Sequence, residues 1–253
     1  MKLTFLGTGS AFTVGADNFQ SNMVLENDQG KRLLIDCGSD VRWSLHAVGL
    51  SYKDIDAVYI SHLHADHTGG LEWLAFTRYF DKTCTKPTLY ISENQAHTLW
   101  NKVLAGGLSS VEGKISDLST YFHVKTIPEN SYFTWSGVEF KIVQTMHVVS
   151  GFTIVPCFGL LFTVNDKSIF ITTDTQFAPH QLLDFYAMAD IIFHDCETTK
   201  FKSRVHAHYE ELISLDPSLK KKIWLYHYNP GPLPDAVNDG FQGFVKKGQV
   251  FQF

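Results

Sequence analysis

The segment His62-Leu63-His64-Ala65-Asp66-His67 constrains this chain more than any other. It follows the apolar run Asp56-Ala57-Val58-Tyr59-Ile60-Ser61 and precedes Thr68-Gly69-Gly70 and an apolar helical stretch, so that four potential metal ligands fall within six residues at the end of a strand. Imidazole and carboxylate together suit a borderline divalent ion such as zinc, and a buried strand supplies a rigid edge from which such a site projects. A polar loop that is rich in histidine by composition alone is the competing reading. It offers no reason to concentrate three imidazoles and a carboxylate at the end of an apolar strand.

Three further residues share that context. His147 follows Phe140-Lys141-Ile142-Val143-Gln144-Thr145-Met146, Asp174 follows Ser168-Ile169-Phe170-Ile171-Thr172-Thr173, and His227 follows Lys222-Ile223-Trp224-Leu225-Tyr226. Taken singly, each reads as an ordinary strand-end residue with a satisfied hydrogen bond. Their repeated placement points elsewhere, because strands of one sheet end along a common edge and can converge there on a dinuclear site.

This arrangement resembles the metallo-beta-lactamase fold hydrolases. The resemblance runs from Leu3-Thr4-Phe5-Leu6-Gly7-Thr8-Gly9 through Leu34-Ile35-Asp36-Cys37-Gly38 and the histidine cluster to His147, Asp174 and His227. It implies an α/β four-layer αββα sandwich. It also implies two divalent metal ions, with zinc expected and manganese or iron as alternatives. His62, His64 and His147 would hold one ion, Asp66, His67 and His227 the other, and Asp174 would bridge them. Asp66 and Asp174 would then also serve catalysis. Such a motif does not settle the substrate, since members of the superfamily cleave lactams, thioesters, phosphodiesters and other bonds.

Composition agrees with one domain over 1–253. With 44% hydrophobic and 19% charged residues, the 253-residue chain can bury a large core. A net charge of -5 argues against a broad nucleic-acid-binding surface, and no stable nucleic-acid complex is expected. The one strong basic run, Lys220-Lys221-Lys222, reads as a helix end or strand entrance. No stretch is long and apolar enough to cross a membrane, and Met1-Lys2-Leu3-Thr4 enters a strand rather than a signal peptide, so a soluble cytoplasmic protein without a membrane partner is expected. Cys37, Cys84, Cys157 and Cys196 are widely spaced and read as reduced, mostly buried small hydrophobes.

The periodicity predicts strands near 2–6, 21–27 and 31–36, a helix near 40–48, and then the strand that ends at the cluster. Helices are expected at 68–80 and 93–105, on either side of the strand Pro87-Thr88-Leu89-Tyr90-Ile91, with Gly106-Gly107 as a helix stop. A strand-rich half begins near 121. It contains the strands ending at His147 and Asp174, a helix near 178–188, the strand Asp190-Ile191-Ile192-Phe193, a helix near 207–214 and the strand ending at His227. Asn229-Pro230-Gly231-Pro232-Leu233-Pro234 reads as a rigid turn that could wall the site.

The segments His194-Asp195-Cys196-Glu197-Thr198 and His206-Ala207-His208-Tyr209-Glu210-Glu211-Leu212 resemble paired segments of the ribonuclease Z-like phosphodiesterase branch, whose second segment supplies a catalytic histidine. His206 matches that position, and His208 takes it if the register shifts by two residues. A departing alkoxide needs a proton or a nearby cation, which gives such a histidine a physical use. Transfer-RNA processing fits less well. The stretch from Val148 to Thr173 is too short for a protruding arm once its two strands are counted, and Gly7-Thr8-Gly9-Ser10-Ala11-Phe12 runs into Asp17-Asn18-Phe19-Gln20-Ser21-Asn22 without the proline and arginine pattern of the processing enzymes.

The chain is most similar to the anti-Pycsar phosphodiesterases, compact relatives of ribonuclease Z that hydrolyse cyclic mononucleotides. That resemblance implies a small cyclic nucleotide substrate, a nucleoside 5'-monophosphate product, a homodimer and a role against cyclic-nucleotide defence signalling. Phe12, Phe19, Phe152 and Phe177 lie near the expected mouth and could stack a base, although packing is the default for each. A ribonuclease Z-like RNA 3' endonuclease, another hydrolase of this fold, and a nucleotide-binding protein that does not cleave are the alternative functions.

Overall fold

Short runs such as Ala57-Val58-Tyr59-Ile60 combine β-branched and aromatic residues and are too brief for a helix. All four residues of this run are buried, as expected of a strand covered on both faces. The computed structural model describes residues 1–15 and 17–253. In chain order the first half contains β1 (Lys2–Phe5), β2 (Met23–Glu26), β3 (Arg32–Ile35), β4 (Ala57–Ile60), β5 (Thr88–Ser92), a small hairpin of β6 (Ser110–Val111) and β7 (Lys114–Ile115), and β8 (His123–Ile127). Next come β9 (Tyr132–Trp135), β10 (Val138–Gln144), a hairpin of β11 (Val148–Ser150) and β12 (Thr153–Val155), β13 (Phe158–Val164) and β14 (Lys167–Ile171). The chain closes with β15 (Ile191–Asp195), β16 (Ile223–Tyr226), β17 (Gly243–Phe244) and β18 (Val250–Gln252).

Two seven-stranded sheets result among the described residues, in the orders β18-β1-β2-β3-β4-β5-β8 and β17-β16-β15-β14-β13-β10-β9. The last strand returns to the first sheet and pairs antiparallel with β1, with Leu3 opposite Phe251. Between the sheets lies an aromatic core in which Phe5 meets Phe193 at 5.0 Å and Phe140 meets Phe162 at 4.7 Å between ring centroids. Helices Val41–Ala47, Leu71–Phe80 and Glu93–Thr98 cover the outer face of the first sheet over Val58, Ile60, Leu89 and Ile91. Helices Pro179–Met188 and Tyr209–Leu212 cover the second over Phe170, Ile192 and Leu225. This is the four-layer αββα sandwich.

Several elements depart from their expected bounds. The stretch 68–80 is divided into Ala65–Thr68 and Leu71–Phe80. The break falls at Gly69-Gly70, where the Gly70 amide donates to the Cys37 carbonyl at 2.9 Å. Gly106-Gly107 does not stop the helix there. A π-helical turn, Leu99–Leu104, leads into Ala105–Leu108, and a Cβ on Gly107 would stand 2.0 Å from a Glu72 carboxylate oxygen. Glu72 is exposed and its carboxylate can swing aside, so this glycine neither caps the helix nor is required by space. The helix expected near 207–214 is limited to Tyr209–Leu212. The stretch between His147 and Asp174 carries the β11–β12 hairpin besides its two sheet strands.

Lys220 ends the short helix Pro217–Lys220, and Lys222 donates to the Ala189 carbonyl at the entrance to β16. The cysteines are free, with Cys37, Cys157 and Cys196 buried and Cys84 partly so. Among the described residues no helix is long and apolar enough to cross a membrane.

Candidate metal centre

Parallel pairing brings the carboxyl ends of β14, β15 and β16 to one edge, so that Asp174, Asp195 and His227 emerge side by side. His62 emerges from β4 and His147 from the end of β10. Asp66 and His67 lie in the short helix Ala65–Thr68, which follows His64 directly. Three residues at this edge take left-handed backbone angles, Asp36 (φ 61°), Thr173 (φ 53°) and His227 (φ 64°). Such a conformation is costly for a β-branched residue like Thr173 and persists where the surrounding structure enforces it, commonly at functional sites.

Asp174 stands at the centre. One of its oxygens lies 3.7 Å from His62 Nε2, 3.3 Å from His67 Nε2 and 3.7 Å from His147 Nε2, and the other lies 3.6 Å from His227 Nε2. Asp66 sits 3.1 Å from His67 Nε2 and 3.4 Å from His227 Nε2. Two groups that could hold a metal therefore share Asp174: His62, His64 and His147 on one side, and Asp66, His67 and His227 on the other. A third grouping joins Asp174 to Asp195, His206 and His227.

Hydrogen bonds at the far side of each ring determine which nitrogen faces inward. His67 Nδ1 donates to Asp36 at 2.7 Å, and His147 Nδ1 donates to the Val205 carbonyl at 2.7 Å. Ser61 Oγ donates to Asp36 and so accepts from His62 Nδ1 at 3.1 Å. The Nε2 lone pairs of all three rings are thereby turned toward the centre. There His64 Nδ1 lies 2.9 Å from His62 Nε2 and 3.1 Å from His147 Nε2. His67 Nε2 and Asp174 Oδ1 are buried without a hydrogen-bond partner. Converging lone pairs and orphaned buried acceptors are what a cation satisfies, so the residues fit two divalent ions.

The electrostatics differ from ring to ring. Burial holds the His62 pKa well below the ordinary imidazole value. Burial also opposes charge on His67, but Asp174, Asp66 and Asp36 outweigh it and raise its pKa well above the usual range.

His206 and His208, left as alternatives by the sequence, occupy different environments. The ring of His206 packs between those of His147 and His227, 4.8 Å from each, and its Nδ1 donates to Asp195 at 2.7 Å. Burial works to lower the His206 pKa, and Asp195 raises it on balance through its charge and this hydrogen bond. His208 instead caps helix Tyr209–Leu212: its Nδ1 accepts from the Glu210 amide at 3.3 Å while its Nε2 donates to the Thr199 carbonyl at 2.8 Å. Both of its nitrogens are spent on the backbone.

Asp36 and Asp195 had no role in the sequence reading. Asp195 accepts from the Thr175 amide at 2.9 Å, binds His206, and lies 3.4 Å from His227 Nδ1. Both carboxylates follow apolar strands, Leu33-Leu34-Ile35-Asp36 and Ile191-Ile192-Phe193-His194-Asp195. That is the same signal that singled out His147, Asp174 and His227, and it could have found them. Gly38 completes this edge, because a Cβ there would lie 2.1 Å from the Asp66 carbonyl.

Packing is not the state of two of the four candidate aromatics, since Phe12 and Phe152 stand in solvent. Phe19 is half-buried under the Lys247 amine, and Phe177 packs against the outer core of the second sheet. Asn229, Pro230 and Gly231 line a cavity of about 490 Å³ together with Val14, Tyr228 and Lys246, and no residue of the metal clusters lines it.

The fold and this centre define a metallo-beta-lactamase-fold protein. The solved structure of the metallo-beta-lactamase fold protein YhfI from Bacillus subtilis superimposes with a TM-score of 0.75 at 19% identity, covering 99% of this chain and 98% of that one. Within that class the chain belongs to the anti-Pycsar family, whose profile, described as anti-Pycsar protein Apyc1, matches residues 1–251. It is 39% identical over 248 residues to the anti-Pycsar protein Apyc1 of Paenibacillus harenae, covering 96% of this chain and 93% of that protein. It is 32% identical to the protein of the same description from Bacillus phage 010DV004, covering 99% of this chain and 98% of the relative.

Proposed function

We propose that this protein is a dinuclear metal-dependent phosphodiesterase that hydrolyses cyclic mononucleotides to nucleoside 5'-monophosphates, and that it counteracts cyclic-nucleotide defence signalling. The observation that carries this reading is the pairing of two ligand clusters around Asp174 with a histidine, His206, held against them by Asp195. His62, His64 and His147 would hold one ion, Asp66, His67 and His227 the other, with Asp174 between them. Zinc fits this mixture of imidazole and carboxylate, and manganese or iron would be tolerated by the same donors. Bound there, the ions supply Lewis acidity for the phosphoryl oxygens and acidify an attacking water.

The chain's own residues do the rest. Asp66, at the edge of the cluster, accepts a hydrogen bond from the attacking water and orients it. His206 carries its reactive proton on Nε2, because Nδ1 is committed to Asp195, and delivers it to the departing 3' oxygen. Asp195 favours the protonated ring and so keeps the acid loaded. The enzyme is expected to work as a soluble cytoplasmic homodimer on a small diester, without a stable nucleic-acid complex or a membrane partner.

Processing of transfer RNA is the second reading. The β11–β12 hairpin, Val148–Val155, is the one projection between His147 and Asp174 among the described residues, which favours a small substrate. Incubation of the metal-loaded protein with cyclic mononucleotides should release nucleoside 5'-monophosphates, whereas precursor transfer RNA should not be processed efficiently. Accurate removal of a 3' trailer at a rate comparable with small diesters would overturn the assignment.

A further inference from the structure

The loop joining Glu197 to Ala207 carries Lys200-Phe201-Lys202-Ser203-Arg204, three cations in five residues of a chain whose net charge is -5. The loop is anchored on both sides. Glu197 and Ala207 share a backbone hydrogen bond of 2.8 Å, and the Ser203 amide donates to the buried Glu197 carboxylate at 2.9 Å. Beyond Arg204, the Val205 carbonyl holds His147 and the next residue is His206. Arg204 thus lies one residue from a carbonyl that orients a candidate ligand, and its Cα is at most about 7.6 Å from that of His206.

The three cations are not equivalent. Lys200 lies over the Phe201 ring at 5.5 Å, and Lys202 approaches Glu211 at 3.6 Å and Glu210 at 3.9 Å. Arg204 is exposed, and its guanidinium has no ion pair, hydrogen bond or ring contact among the described residues. Its backbone has φ 67°, a conformation that disfavours any residue with a Cβ and suits glycine. A glycine here would relieve that conformation, yet an arginine with no structural partner stands in its place.

We propose that Arg204 is an anion-binding residue of this site, whose guanidinium grips the non-bridging phosphoryl oxygens of the substrate. The inference rests on the phosphodiesterase reading and adds to it a specific reader of the phosphate. A planar fork of donors matches two phosphoryl oxygens, and charge-assisted bonds of this kind gain strength as the phosphoryl group becomes more negative.

The test compares Arg204→Gly, Arg204→Ala and Arg204→Lys in the metal-loaded full-length protein, with cyclic mononucleotides and bis(p-nitrophenyl) phosphate as substrates. For Arg204→Gly, kcat/KM should fall roughly 10- to 100-fold, metal content should be unchanged, and Tm should be equal or higher. Arg204→Ala should lose as much activity. Arg204→Lys should recover part of it, since it keeps the charge without the fork. Activity of Arg204→Gly within about twofold of wild type would reject the proposal, as would a loss confined to Arg204→Ala, which would make the effect one of backbone geometry. If the wild-type protein cleaves the nitrophenyl diester but no cyclic nucleotide, the proposed substrate class fails. The Arg204 comparison is then read on that diester, where an unchanged kcat/KM overturns it and a loss supports it.

Discussion

His206 and His208 are two residues apart and of the same chemical type, and their neighbours divide their work. His206 meets the centre and Asp195, whereas His208 spends both nitrogens capping a helix. His206→Ala should lose roughly 10²- to 10⁴-fold in turnover of cyclic nucleotides, the usual contribution of general acid catalysis. It should lose far less on bis(p-nitrophenyl) phosphate, whose leaving group scarcely needs a proton, and metal content should be retained. Equal losses on both substrates would remove the acid role. His208→Ala should behave differently, lowering stability by about 0.5–2 kcal/mol in urea melts through loss of the cap while leaving turnover per folded molecule unchanged. A selective loss of cyclic-nucleotide turnover in His208→Ala alone would reassign the acid. Sequence pattern could place both histidines at the start of one segment. It could not separate them, because the separation depends on Asp195 and on Thr199, each reached through the tertiary arrangement of the loop.

At the scale of elements, the site depends on strand ends brought to one edge and on backbones that approach closely there. Gly38 follows β3 and faces the Asp66 carbonyl, with no room for a Cβ. Gly38→Ala must displace the short helix that carries Asp66 and His67. The expected cost is about 1–3 kcal/mol of stability, as for overpacking in a tight interior, together with weaker metal retention. Thermal melts and elemental analysis after dialysis check this, and wild-type values for both would show that the segment shifts freely. The strand order itself was not legible from the residues. Apolar runs announced most of the strands, but the return of β18 to pair with β1 joins the two ends of the chain, and no local pattern encodes that pairing.

The whole molecule is a sandwich whose edge concentrates buried histidines and carboxylates, among them Asp174 and His67 with unsatisfied atoms. A fold that buries such groups should gain stability from the ions that satisfy them. At free metal about 100-fold above Kd, each bound ion contributes about 2.7 kcal/mol, which for a domain of this size is a rise in Tm of roughly 5–10 °C. Stripping with a chelator and restoring zinc should therefore lower and then recover Tm, with about two ions regained per chain. A Tm indifferent to metal, or fewer than about one ion per chain after metal-replete expression, would remove the dinuclear reading.

The sequence by itself determined the candidate ligands, His62, His64, Asp66, His67, His147, Asp174 and His227, because donor type and position at the end of an apolar run are local properties that any stretch of residues displays. The αββα architecture was likewise implied by the family pattern those residues carry. Only the tertiary structure decided which nitrogens face inward, that Asp36 and Asp195 hold the histidines in place, that His208 is a cap, and that the exposed Arg204 has no ion pair or hydrogen bond among the described residues. The decisive contacts among these join segments distant along the chain, such as His147 with Val205 or His67 with Asp36. The physical reason is that hydrogen-bond direction, burial and the presence or absence of a counter-charge are properties of pairs of groups in space, and a linear sequence specifies the groups without specifying which of them meet.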